Sequence, residues 1–111
     1  MKIRFHRKLY KGRMVLNAGK AVKMLSEGKT SPLLYCIVRS PDGRSVELVS
    51  SGWFSQPWYE DREIYVVGIA SGWKDGIELL SSIMQETVSG TGDTDIVRYL
   101  FPGEDINGGG A

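Results

Sequence analysis

The chain has 111 residues, 24% of them charged and 41% from the hydrophobic set, which suits one globular core and leaves no room for two sizeable domains. No apolar run approaches the roughly 20 residues of a membrane span, and one cysteine, Cys36, cannot build an internal disulfide framework. The net charge of +1 conceals an asymmetry: residues 1–30 hold nine Lys or Arg against one acid (+8), and residues 31–111 hold five against twelve (−7). Such a distribution can attract a polyanion, bring two copies together head to tail, or be neutralised when the basic third packs beside the acidic remainder.

At the start of residues 3–10, Ile3 and Phe5 alternate with Arg4 and His6, the period of a strand, and the charges predict a sheet edge. Lys11 and Gly12 make a turn. Over 18–27, Ala18, Ala21, Val22 and Leu25 share one helical face, with Asn17 as N-cap and Gly28 as the residue that ends the helix. Residues 33–39 are a continuous apolar run after Pro32. Ser40, Pro41, Asp42 and Gly43 then form a turn, and Val46 and Leu48 point inward from a strand over 45–50, so 33–50 is predicted to be a β-hairpin. Residues 52–59, Gly-Trp-Phe-Ser-Gln-Pro-Trp-Tyr, read as a loop or a short helical turn, followed by a charged connection at 60–63 and a second fully apolar strand at 64–70.

The main helix is predicted over 72–88. Its buried stripe is Trp73, Ile77, Leu80 and Met84, widened by Ile83 and Val88, while Lys74, Asp75, Glu78, Gln85 and Glu86 lie mostly on the other side. Ser71 is the expected N-cap, Gly90 the stop, and Asp93 the cap of a short element at 95–101. The Gly-rich residues 102–111 are expected to be a flexible tail after a domain over 1–101.

These elements define an α+β domain in the order β-α-β-β-β-α plus a short C-terminal element, with a three- to four-stranded mixed or antiparallel sheet and two main helices on one face. The strands at 33–38 and 64–69 are apolar at nearly every position and need cover on both faces. With helices on one side only, the second cover falls to the aromatic loop or to another copy, which points to a homodimer.

Leu9-Tyr10, the short basic helix, residues 35–38 (Tyr-Cys-Ile-Val), 56–59 (Gln-Pro-Trp-Tyr) and 66–70 (Val-Val-Gly-Ile-Ala), and the ending at 91–100 together resemble a family of short bacterial proteins that carry no assigned function. The likeness covers nearly the whole chain apart from the tail. It implies a bacterial single-domain protein and transfers no active site, substrate or cofactor.

No convergent catalytic set emerges. Ser71 sits at a strand-to-helix turn in a G-x-x-S-G order that does not form a nucleophile elbow, and a helix cap is its simpler role. His6 and Cys36 form a catalytic pair only if their strands put both side chains on one face. No metal-ligand spacing exists, and Glu60, Asp61 and Glu63 lack the alternation of a calcium loop. Gly68, Gly72 and Gly76 miss the phosphate-turn order. Their simpler reading is that Gly68 lets a helix approach and Gly76 lets Trp73 pack. No metal or cofactor is therefore expected.

Two surfaces remain. Trp53, Phe54, Gln56, Trp58 and Tyr59 form an aromatic loop suited to a protein interface or, with a pocket between the loop and the start of the main helix, to a small molecule; the alternative is that the rings fold back as core. Arg4, Arg7, Lys8, Lys11 and Arg13, interleaved with Phe5 and Tyr10, suit a polyanion such as nucleic acid. The leading expectation is a non-enzymatic, cytoplasmic protein-interaction domain, self-associating or bound to another protein, with no membrane partner. Its alternatives are a nucleic-acid-binding accessory protein and a small-molecule binder.

Overall fold

The computed structural model describes residues 2–103. Strand β1 (Lys2–Lys11) is followed by helix α1 (Ala18–Ser26), strands β2 (Leu34–Arg39) and β3 (Val46–Ser50), two 3-10 turns (Ser51–Ser55 and Pro57–Tyr59), strand β4 (Glu63–Ser71), helix α2 (Trp73–Thr91) and a short helix α3 (Ile96–Leu100). The four strands form one mixed sheet in the order β1-β4-β2-β3: β1 runs parallel to β4, and β2 is antiparallel to both β4 and β3. This is the α+β arrangement and element order that the sequence predicts. Of the expected 102–111 tail, Pro102 and Gly103 form a turn and the rest lies outside the described residues.

Local chemistry explains most boundaries. The Asn17 side chain accepts the Lys20 N–H at 2.9 Å to start α1, and Gly28 takes φ +78° just beyond its end. In the β2–β3 hairpin, Ser40 N–H donates to Ser45 O at 2.9 Å, the Asp42 carboxylate accepts from Arg44 N–H at 2.9 Å, and Gly43 adopts φ +75°. Three boundaries differ from expectation. Gly72, not Ser71, is the N-cap of α2 and offers no side chain; the helix passes Gly90 and ends after Thr91, where Gly92 turns left-handed; and Asp95, not Asp93, caps α3 through Arg98 N–H at 3.0 Å.

The helices lie on both faces of the sheet, not on one. Ile37, Val67 and Ala70 pack on one side against Leu79 and Ile83 of α2, Val97 and Leu100 of α3, and Phe101. Cys36, Val38, Val66 and Ile69 pack on the other against Leu25 of α1 and Phe54 of the aromatic loop. The two apolar strands are thus covered front and back within one chain, and the argument for a second copy as their cover fails. Burying the alternate sides of β2 and β4 under separate layers is what their unbroken apolar runs encode.

The face of α2 is also rotated from the predicted stripe. Gly76, Leu79, Ile83 and Thr87 face the sheet, whereas Trp73, Ile77 and Val88 are exposed. The helix approaches over its small residues: a Cβ at Gly76 would fall 2.7 Å from Leu48 Cδ1, and one at Gly68 of β4 3.1 Å from Leu79 Cδ2. Gly68 does admit a helix, but Gly76 makes room for Leu48 and not for Trp73, whose ring packs edge-on to Tyr35. The buried Thr87 hydroxyl is satisfied by Ile83 O at 2.8 Å.

Candidate interaction surface

At one end of the sheet β1, β3 and β4 finish and β2 begins, so the connections at 12–17, 27–33 and 51–55 and the start of α2 meet there. Backbone and small polar groups tie these connections to one another. Asp75, buried in the first turn of α2, accepts Ser71 N–H at 2.9 Å and Met14 N–H at 3.3 Å. Gly72 N–H donates to Leu33 O at 2.8 Å. The Ser51 hydroxyl donates to Ser31 O at 2.8 Å and accepts Ser31 N–H at 3.0 Å, and the Ser50 hydroxyl donates to Pro32 O at 2.9 Å. Asp75 is therefore not on the exposed side of its helix, where the sequence pattern predicts it; it ties Ser71 and the 12–17 connection to the first turn of α2.

With the backbone held, large apolar side chains at this end face solvent: Met14 is 64% exposed, Leu16 100%, Leu33 73%, Trp53 60% and Trp73 57%. Met14, Leu16 and Leu33 border a groove of about 420 Å³ floored by Ala21 and Met24 of α1. Lys20 lines this groove, and Arg13 and Lys74 line the neighbouring one beside Met14. Single exposed hydrophobes are ordinary on a protein surface; Met14, Leu16 and Leu33 share one groove with Lys20 at its border, and Arg13, Lys74 and Glu78 line the next, the mixture of apolar centre and charged rim found at contact surfaces.

The aromatic loop divides its side chains. Phe54 is buried, and Tyr59, half-buried, meets it edge-on with ring centres 5.2 Å apart. Burial, then the Glu47 carboxylate, raises the Tyr59 hydroxyl above the usual tyrosine range. Trp53, Gln56 and Trp58 are exposed. Arg62 lies over the Trp58 ring, 3.8 Å from its centre, and its Nε donates to Trp58 O at 3.1 Å, so one face of that indole is already occupied. Trp58 and Tyr59 border a groove of about 440 Å³ with Arg39, Glu47 and Arg62. It lies at the opposite end of the sheet from the start of α2, not beside it as expected.

The basic strand divides likewise. Arg4 pairs with Glu63 at 3.3 Å and Lys8 with Glu86 at 3.3 Å, both at exposed positions. Arg7, Lys11 and Arg13 form no ion pair with other described residues. His6 and Cys36 lie on opposite faces of the sheet: His6 rests against Tyr65 and Phe101, while Cys36 is buried in the α1 layer, its thiol pushed up to about 12 by burial. They form no catalytic pair. No group of three or more His, Cys, Asp or Glu able to hold a metal occurs among the described residues.

A polar cluster unites side chains far apart in the sequence. The Glu86 Oε2 atom accepts hydrogen bonds from the Tyr10 hydroxyl, the Tyr99 hydroxyl at 2.9 Å and Lys8 Nζ at 3.3 Å. The Tyr10 hydroxyl, foremost among these partners, holds the Glu86 carboxyl below the usual range. Burial first and then Glu86 raise the Tyr10 hydroxyl, and the hydrogen bond to Glu86 raises that of Tyr99. Residues 8, 10, 86 and 99 carry no joint signal in the sequence, because only the pairing of β1 with β4 beneath α2 brings them together.

Compared with known proteins, the chain matches no protein-family model, no curated protein and no solved structure. No described helix is long and apolar enough to cross a membrane.

Proposed function

We propose that this is a non-enzymatic protein-interaction domain that uses the apolar end of its sheet to bind a second copy of itself or another protein. The observation that carries the reading is the set Met14, Leu16, Leu33, Trp53 and Trp73, all exposed at a sheet end whose connections are hydrogen-bonded to one another. A surface held in shape before binding loses little conformational entropy on contact, and indoles and long aliphatic side chains are strong anchors once desolvated. The reading moves the sticky region from the sheet faces to the sheet end. It keeps Trp53 of the aromatic loop and leaves Phe54 and Tyr59 to the core. A bacterial cytoplasm is the proposed setting, in keeping with the unpaired Cys36 and the resemblance carried by residues 35–38 and 56–59.

Sedimentation velocity across the micromolar range tests the self-associating form. The expected result is a concentration-dependent dimer that Leu16→Glu together with Trp73→Glu converts to monomer without loss of helical circular dichroism. A monomer at every concentration removes self-association, and a dimer indifferent to both substitutions moves it to another surface.

A further inference from the structure

The Glu86 cluster forms part of a groove that the interaction reading leaves unused. In β1 the chain advances from Phe5 to Tyr10 while its partner advances only from Val66 to Gly68. This bulge lifts 6–9 out of regular pairing and re-aims their side chains, as bulges do. His6 Nδ1 accepts Lys8 N–H at 3.1 Å, so Nε2 carries the ring proton and donates to Leu100 O at 2.7 Å, which joins the bulge to α3. The resulting groove, about 710 Å³, lies within the range of small-molecule sites.

Its lining combines two chemistries. Tyr65 and Phe101 meet edge to face with centres 5.0 Å apart, and half-buried Tyr10 and Tyr99 add two more rings. Arg7 and Lys8 supply the cations, and Arg7 has no ion-pair partner among the described residues. The acid behind the groove, Glu86, is already engaged by Tyr10, Tyr99 and Lys8 and opposes an anion weakly. Since both tyrosines give their protons to Glu86, their oxygens are left as acceptors for a donor such as a base amino group. Lys8 Nζ already lies over the Tyr10 ring at 5.5 Å and the Arg39 guanidinium over the Phe101 ring at 4.5 Å, so Tyr65 and Tyr99 are the rings left to a base, and Arg7, with Lys8 beside it, is the cation left to an anion.

We propose that this groove binds a nucleoside phosphate, free or as part of a nucleic-acid strand, with the base against the tyrosine rings and the phosphate at Arg7 and Lys8. Stacking on aromatic side chains beside cations is the general means of holding such a group. The site is separate from the apolar end of the sheet, so either proposal can fail alone.

The test is calorimetry together with amide chemical-shift mapping of the full chain. The probes are AMP, CMP, adenosine, inorganic phosphate, phosphotyrosine and a short single-stranded RNA. AMP or CMP should bind at least about tenfold tighter than adenosine or phosphate, with shifts centred on 6–10 and 99–101. Arg7→Gln with Lys8→Gln should weaken binding about tenfold to a hundredfold, the loss typical of charge-assisted bonds. Tyr99→Phe, which keeps the ring, should weaken it less. RNA binding tighter than AMP assigns the strand as the source, and equal affinity assigns the free nucleotide. Nucleotides no tighter than phosphate, shifts confined to other surfaces, phosphotyrosine preferred over AMP, or indifference to the Arg7 and Lys8 substitutions would overturn the proposal.

Discussion

Gly12 and Asp75 share one space: a Cβ added to Gly12 would fall 2.6 Å from Asp75 Cγ and 2.8 Å from Oδ1. The absence of a side chain at the end of β1 is therefore what lets a carboxylate from α2 reach across and hold Ser71 N–H and Met14 N–H.

Gly12→Ala should cost about 2–3 kcal/mol, because the carboxylate must leave its backbone donors or the helix must shift. Asp75→Ala should cost a similar amount by stranding those donors, and the double variant should cost much less than the sum, since both substitutions break the same contact. Urea midpoints of the four proteins check this; additive losses would mean that the two residues act separately.

The Glu86 cluster predicts stability that falls at both ends of the pH scale. The Glu86 carboxyl is lowered in the fold, so its contribution is complete above the ordinary glutamate value of about 4.3 and is lost as pH falls through the lowered one. The Tyr10 and Tyr99 hydroxyls are raised, so their contribution is complete below the ordinary tyrosine value of about 10 and is lost as pH rises beyond it. Asp42, lowered chiefly by the Ser40 hydroxyl, adds to the acid limb, which makes Glu86→Gln the informative comparison. Urea unfolding against pH should show a shallower acid limb in Glu86→Gln and a shallower alkaline limb in Tyr10→Phe. Limbs unchanged in both would leave the cluster without energetic weight.

Cys36 should be inert in the folded protein. Its thiol is buried and raised, so at neutral pH it holds its proton and has no path to a reagent. Reaction with a chromogenic disulfide should be undetectable in the native state and complete in denaturant. Fast native labelling would mean that α1 opens readily from the sheet.

The α1 cap is worth about 1 kcal/mol. Asn17→Ala should lower stability by that amount, and Asn17→Asp should restore it. A thermal melt distinguishes them, and equal melts for Ala and Asp would show that the Lys20 N–H is satisfied elsewhere.

Where a local device sets the structure, the sequence was readable. Asn17 and Gly28 bracket α1, Pro41 and Gly43 shape the hairpin, and the two unbroken apolar runs announce strands covered on both sides. Where structure depends on what a residue meets across the fold, it was not. The parallel pairing of β1 with β4 has no turn to betray it. The buried face of α2 differs from the predicted stripe because periodicity favours large residues, whereas close packing selects Gly76 and Thr87 and leaves Trp73 outside. The aromatic loop could be found but not divided into inward and outward rings, since that division follows from how 51–59 descends over the α1 face. The groove at the bulge joins residues 6–8, 10, 65 and 99–102 and is illegible in the sequence for the same reason.

The parallel pairing also sets an order of events during synthesis. β1 is synthesised before β4, its one sheet partner among the described residues, so it cannot pair natively until β4 has been made. The hairpin of β2 and β3 can close meanwhile, being short in loop and contiguous in chain. Arg4, Arg7, Lys8 and Lys11 would set like charges against each other if two copies met along β1, which disfavours edge-to-edge pairing. The same cations therefore guard an open edge of the finished sheet.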